Sequence, residues 1–363
     1  MTIASRSLHR LLVSLITLLL GAGWLPARAA VVLQYHHVSE SSPASTSVTP
    51  QLFRQHMDYL QQKGFEVVPL LQLVQEVRDG QQEPLSAKRV AITFDDAYSS
   101  VYTEAYPLLK ERGWPFTVFV NSEPLDSHLR GFVSWDQLRE MAANGATLAN
   151  HSHSHMHFSR IPAGSSRDEL LQQVRGDVEK AQARLKAELG DVPKLLAYPF
   201  GEHDQQVMEM LAGMGYVAFG QQSGALGPSE SLQALPRFPF GGNYGDISDF
   251  AVKVKSRPLP VTAVRLAESD DRLPQLSADN RKPRVQLQLA QAMPLNCFAS
   301  GQGAVEVKPL SSAEESWFEV SLKSPLGAGR NRINCTSPGP EGRFYWFSQP
   351  LYIPAADGSW PAE

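Results

Sequence analysis

The sequence predicts an α/β barrel followed by a small all-β sandwich, and three observations carry that prediction. From Val31 to about Arg257, short apolar runs alternate with stretches in which apolar residues recur three and four apart. After Arg257 the helical period gives out, and strand-like runs are separated by Gly, Pro, Ser and Asn. The length of 363 residues, with 42% hydrophobic and 19% charged, suits two packed domains rather than a disordered chain.

The chain begins with a pattern that is not part of either domain. Arg6, His9 and Arg10 precede an apolar run from Leu11 to Leu20, and Ala27-Arg28-Ala29 follows. A basic start, a short apolar core and small residues near a cleavage point are the parts of a secretory signal peptide, here residues 1–30. A membrane anchor is the competing reading, but a spanning helix needs about 20 apolar residues. Gly21, Gly23, Pro26 and Arg28 interrupt too early. Export to a periplasm or the medium, with no integral span after cleavage, is therefore expected. A formal net charge of −4 and the lack of a long basic run give no footing for a nucleic-acid partner.

Residues 31–257 read as the first domain. Apolar strands are expected at Val31–Tyr35, Phe65–Pro69, Arg89–Phe94, Phe116–Val120, Ala146–Ala149, Lys194–Tyr198 and Val217–Gly220. Helices are expected around Leu52–Leu60, Tyr102–Arg112, Trp135–Asn144, Glu169–Leu189 and Gln205–Met214. Thr49 with Pro50 reads as a helix start, Ser134 with Gln137 as a capping box, and Gly64, Gly113 and Gly145 as stops. About seven such units favour a barrel, in which function gathers at the C-terminal ends of the strands. Residues 258–363 read as the sandwich, with strands at Val285–Ala290, Ala304–Val307, Trp317–Leu322, Arg330–Cys335 and Phe344–Phe347. Both cysteines, Cys297 and Cys335, lie in it, and in an exported protein a lone pair usually forms a disulfide.

The residues that carry chemistry lie where apolar strands end. Val90–Phe94 runs into Asp95-Asp96, a carboxylate pair that alone would pass for a solvated turn. Ala146–Asn150 runs into His151-Ser152-His153-Ser154-His155-Met156-His157, four of the ten histidines within seven residues. If the chain turns helically there, His151 and His155 share a face while His153 lies off it. Two imidazoles and a carboxylate make three protein ligands and leave positions open on a catalytic metal. Such a set suits Zn2+, with Co2+, Ni2+ and Fe2+ as alternatives, and a zinc-bound water can reach a pKa of about 7. The first strand ends in His36-His37, which reads either as a structural cap or as an acid.

Thr93-Phe94-Asp95-Asp96, His151-Ser-His-Ser-His155 and Ala197-Tyr198-Pro199-Phe200-Gly201 together resemble the three motifs of the NodB-type polysaccharide deacetylases, also called carbohydrate esterase family four. The resemblance covers about Val31 to Arg257 and implies a distorted (β/α) barrel acting on a polysaccharide. It implies Asp95 as catalytic base, Asp96, His151 and His155 as metal ligands, and the backbone N–H of Tyr98 as a contributor to the oxyanion site. Ala97 stands where the family has glycine, and Ala197 where it has the arginine that orients the base; Arg237 is a candidate replacement. No late Leu-x-His supplies the usual acid. Gln34-Tyr35-His36-His37-Val38 resembles the opening of the circularly rearranged members, including poly-N-acetylglucosamine deacetylases, which implies His36 as the acid and His37 as second choice. Pro199, Phe200, Arg237 and Tyr244 are candidates to line the glycan site.

The expected activity is hydrolysis of N-acetyl groups on an amino-sugar polymer. An O-acetyl esterase and an inactive carbohydrate-binding barrel are the alternatives. Glycoside hydrolysis would need two carboxylates about 5–10 Å apart across a sugar, which the adjoining Asp95 and Asp96 do not suggest.

Overall fold

The computed structural model describes residues 30–79, 88–227, 230–310 and 316–362. The leader pattern at residues 1–30 therefore lies outside the described residues, apart from Ala30. Among the described residues, no helix is long and apolar enough to cross a membrane.

The first region is a curled parallel sheet wrapped by helices. Its strands are β1 (Ala30–Tyr35), β2 (Glu66–Val67), β3 (Arg89–Phe94), β4 (Phe116–Val120), β5 (Ala146–Asn150), β6 (Leu195–Ala197), β7 (Val217–Phe219) and β8 (Phe238–Pro239). They pair in the order β8-β1-β3-β4-β5-β6-β7, with β2 joining the lower half of β3. A bridge between Phe219 and Leu235 brings the segment leading into β8 against β7. All seven expected strands are present, though two shrink to three residues and one to two; β8 went unread because two residues carry no period.

The helices are α1 (Pro50–Gln62), α2 (Leu70–Arg78), α3 (Tyr106–Glu111), α4 (Ser122–Asp126), α5 (Trp135–Ala143), α6 (Arg167–Leu189), α7 (Gln205–Gly213) and α8 (Ile247–Lys253). The expected caps form. The Thr49 hydroxyl accepts from the Leu52 N–H at 3.1 Å, and Ser134 with Gln137 closes a capping box. A second capping box, Ser166 with Glu169, starts α6. The expected helix at Tyr102–Arg112 begins differently: Val101–Ala105 is a π-helical turn that feeds α3.

Strand alternation separates two cores. Val31, Leu33, Tyr35, Val90, Ile92 and Phe94 face α1, α3 and α5. Ala30, Val32, Ala91, Phe119, Ala149 and Phe219 face inward, where α2 closes one end with Leu70, Leu73, Val74 and Val77. Because side chains alternate along a strand, the inward positions that continue β1 and β3 are Gln34, Thr93 and Asp95. The apolar interior therefore ends in a polar layer at the C-terminal end of the strands.

Beyond residue 256 come β9 (Arg257–Pro258), β10 (Val261–Leu266), β11 (Arg284–Leu289), β12 (Asn296–Ala299), β13 (Gly303–Pro309), β14 (Ser316–Ser321), β15 (Gly329–Pro338) and β16 (Phe344–Ile353). They form one continuous path, β9-β16-β15-β12-β13-β14-β11-β10, antiparallel except for β9 on β16. A small sandwich was expected here; the strands share one continuous pairing path, because β13 pairs with both β12 and β14. Cys297 on β12 lies directly opposite Cys335 on β15, and the two are disulfide-bonded.

Candidate active site

Asp95 and Asp96 leave β3 in different directions because the backbone turns sharply there. Asp96 and Ala97 have φ of 73° and 57°, and Ser152, His155 and Phe200 have φ of 65°, 58° and 58°. Five of the eight non-glycine residues with positive φ among the described residues thus gather at one place, where tertiary contacts hold a conformation that L-residues avoid. Ala97, at the family's glycine position, is itself in the left-handed region.

Asp95 is fully buried and its carboxylate is held by three hydrogen bonds from two side chains. Arg237 Nη1 and Nη2 donate to its two carboxylate oxygens at 2.7 and 2.8 Å, and Gln34 Nε2 donates to Oδ2 at 2.7 Å. Arg237 Nε is anchored on the Gly220 carbonyl at 3.0 Å. Burial alone would push the Asp95 carboxyl up, but the Arg237 charge and hydrogen bonds, with His151 and His36 nearby, hold it below the usual range. Arg237, 0% exposed, is spent on Asp95 and presents no surface to a substrate. His36 Nε2 stands 3.9 Å from Asp95 Oδ2 with its side chain 14% exposed. Burial lowers its pKa, against the pull of the Asp95 and Asp96 carboxylates. His37 turns away and stacks on Tyr98 at 3.6 Å, with Phe132 5.0 Å beyond. The Tyr98 phenol is pushed up by burial and by the neighbouring Asp96.

Asp96, His151 and His155 converge, with one ligand-type atom from each within 4.8 Å of the others. Asp96 Oδ1 lies 3.1 Å from His151 Nε2 and 3.2 Å from His155 Nε2. His151 Nδ1 is 2.8 Å from the Ala197 carbonyl, which can only accept, so Nδ1 carries a proton and, in the neutral ring, Nε2 offers its lone pair to Asp96. Two lone-pair donors facing each other inside a protein call for a cation between them. Consistently, Asp96 Oδ1 and His151 Nε2 are buried without a hydrogen-bond partner. The residues present therefore fit a divalent metal ion.

The helical turn expected at His151–His155 does not form; the segment is a loop. Side chains take the backbone N–H groups that a helix would use. Asn150 Oδ1 accepts from Ser152 at 2.8 Å, Ser152 Oγ from His155 at 3.0 Å, and the Asp177 carboxylate from His153 and Ser154. The two imidazoles still meet, 4.9 Å apart at 64°. His153 points away to Ser122 at 2.8 Å, and His157 pairs with Glu202 at 3.0 Å.

Pro199 is buried, Phe200 half-buried, and Tyr244 70% exposed with the Lys253 ammonium bonded to its carbonyl at 3.0 Å. Trp135 is 9% exposed and belongs to the core. Sequence reasoning passed over Gln34, Asp177 and Glu202. Gln34 had a signal, an amide inside the apolar run Val31–Tyr35. Asp177 and Glu202 had none, because their partners lie 23 to 45 residues away.

Residues 82–219 match the family model for polysaccharide deacetylase. A poly-β-1,6-N-acetyl-D-glucosamine N-deacetylase of Escherichia coli K12 is 25% identical over 265 residues, covering 63% of this chain. The chain spans only 39% of that relative's length. An enzyme of the same name from Staphylococcus epidermidis is 24% identical over 228 residues, 58% of this chain and 78% of its own. Among solved structures, IcaB from Ammonifex degensii superimposes with a TM-score of 0.55 at 27% identity, covering 63% of this chain and 97% of that one. The Streptococcus pyogenes deacetylase PplD shares the fold, with a TM-score of 0.55 at 21% identity over 63% of this chain and 99% of that one. The two carboxylates and two imidazoles all lie within residues 82–219, the stretch that matches the polysaccharide deacetylase model, and there the chain is similar to that family.

Proposed function

We propose that this protein is an exported, metal-dependent deacetylase that removes N-acetyl groups from an amino-sugar polysaccharide, with residues 31–257 as the catalytic domain. The observation that carries the reading is the pairing of a cation-seeking triad, Asp96, His151 and His155, with an adjacent carboxylate held ionised by Arg237. The name shared by the relatives from Escherichia coli and Staphylococcus epidermidis makes poly-β-1,6-N-acetylglucosamine the first substrate to try.

A divalent cation held by Asp96, His151 and His155, most simply Zn2+, supplies Lewis-acid polarisation and a water of lowered pKa. Asp95 takes the proton from the attacking water, and Arg237 with Gln34 keeps the carboxylate oriented for it. The Tyr98 backbone N–H helps bind the developing oxyanion. His36, on the other side of Asp95, gives a proton to the departing nitrogen; burial makes its protonated form a stronger acid. Tyr244 and Phe200 contact the glycan, and the buried Pro199 shapes the loop beneath. Export is supported by the leader pattern and the Cys297–Cys335 disulfide. For residues 258–363 we propose a sandwich-like closure, supported by one core that draws Val285, Val305, Ile333 and Leu351 from across the strand path.

The test is acetate release from N-acetylglucosamine oligomers, with and without chelator, for wild type and Asp95→Asn. Release that stops on chelation and falls by about 10²–10⁴ in Asp95→Asn is expected. Chelator-resistant release, or full activity of Asp95→Asn, would overturn the reading.

A further inference from the structure

The C-terminal strands reach into the loop that backs the metal triad. That loop, Tyr198–Asp204, follows β6 and carries Phe200 at φ 58°, a conformation a bulky residue holds only under outside constraint. The Phe200 ring meets the edge of His155 at 4.5 Å and stacks on His157 at 3.8 Å and 17°. It is therefore the wall against which His155 rests.

Much of what holds that wall comes from residues 330–361. Arg330 Nη1, on β15, donates to the Phe200 carbonyl at 2.9 Å, and its guanidinium lies 5.6 Å from the Phe200 ring centre. The Tyr352 hydroxyl, on β16, donates to the next carbonyl, Gly201, at 2.7 Å inside the protein. Glu202, fully buried, binds His157 at 3.0 Å and Arg160 at 2.5 Å, and Arg330 Nε is 3.9 Å away. Arg160 in turn lies under the Trp360 ring at 4.9 Å and donates to the Pro361 carbonyl at 3.4 Å. Three successive residues of the loop thus have their backbone or side chain tied to the C-terminal region.

We propose that the C-terminal sheet is part of the catalytic machinery: Arg330 and Tyr352 are positioning residues that set the metal ligand His155 through Phe200 and His157. This rests on the assignment of Asp96, His151 and His155 as ligands. A sheet that merely packs against the barrel would need neither donor aimed at the carbonyls of Phe200 and Gly201.

The test is Co2+ binding to the full chain, read by visible absorption and titration, beside acetate release. Arg330→Met and Tyr352→Phe remove the donors and keep the bulk; Arg330→Lys restores a donor; Ile333→Val, a core change on β15, controls for stability alone. Loss of partners around a ligand typically costs 10–100-fold in metal affinity, so about tenfold weaker Co2+ binding and an altered spectrum are expected for Arg330→Met, a similar but smaller change for Tyr352→Phe, and partial recovery in Arg330→Lys. Wild-type Co2+ affinity and spectrum in Arg330→Met and Tyr352→Phe, at thermal midpoints no lower than that of Ile333→Val, would overturn the proposal. Asp96→Asn separates the two levels. If it leaves Co2+ binding intact, the ligand assignment fails and the positioning proposal falls with it. If it abolishes binding while Arg330→Met and Tyr352→Phe do not weaken it, the positioning proposal alone fails.

Discussion

Asp95 and Arg237 show how much one buried pair decides. Arg237 lies 142 residues from Asp95 in sequence, yet both its guanidinium arms end on that carboxylate. Lysine can offer a point charge but not the fork, so Arg237→Lys should lower kcat by about 10²-fold, as expected when a reacting group shifts by about 1 Å. Arg237→Met, which leaves a buried carboxylate unpaired, should also cost about 3–5 kcal/mol in stability; denaturation curves beside acetate release check both. Two other buried side chains make stability depend on pH. Burial lowers His56 and His203 to about 4, despite hydrogen bonds from each ring to the Gly245 and Gly201 carbonyls. The unfolded chain takes up protons near pH 6.5 and the folded chain only near 4, so stability is full above about 6.5 and drains as pH falls to 4. Each histidine should cost about 2 kcal/mol between pH 7 and pH 5. Guanidinium denaturation at the two pH values measures it, and His56→Phe should reduce the difference by about 2 kcal/mol; an unchanged difference would mean that this ring is not buried neutral.

At the scale of elements, the two decisive pieces are a loop that refused to be a helix and a strand pair joined covalently. The His151–His155 loop depends on Asp177 in α6, whose carboxylate takes two backbone N–H groups. Asp177→Ala should therefore weaken metal binding more than it lowers the melting temperature, and Co2+ titration beside a thermal melt distinguishes the two. The Cys297–Cys335 disulfide closes a 38-residue separation. By the loop-entropy relation it is worth about 4 kcal/mol, so reduction should destabilise the C-terminal strands by that order, seen as earlier unfolding in denaturant.

Across the whole molecule, the curled parallel sheet and the C-terminal strands are tied by buried groups. Leu259 is 2% exposed, Tyr352 is 4% exposed and bonded to Gly201, and Trp346 packs edge-on against Phe238 at 5.3 Å. Calorimetry should accordingly give a single cooperative transition for the disulfide-bonded protein. Two well-separated transitions would show that the seam transmits no stability, and would weaken the case for Arg330 and Tyr352 as well.

The alternation of apolar runs, the caps at Thr49 and Ser134 and the strand-end clusters were legible in the sequence because each rests on neighbours in the chain. Local hydrogen bonds and side-chain period set them. The motif histidines and aspartates were legible for the same reason, since they adjoin the strands that carry them. Arg237 was a candidate to orient the base from the resemblance, and the fold brings it to Asp95 across 142 residues. Tertiary structure alone decided what Asp177, Glu202 and Arg330 do, because each acts across 23 to 130 residues on a partner that no local pattern names. It also decided that His151–His155 is a loop: distant carboxylates compete for backbone N–H groups only after the chain has folded. The continuous C-terminal ladder follows the same rule, since strand pairing order is fixed by contacts the sequence brings together only in space.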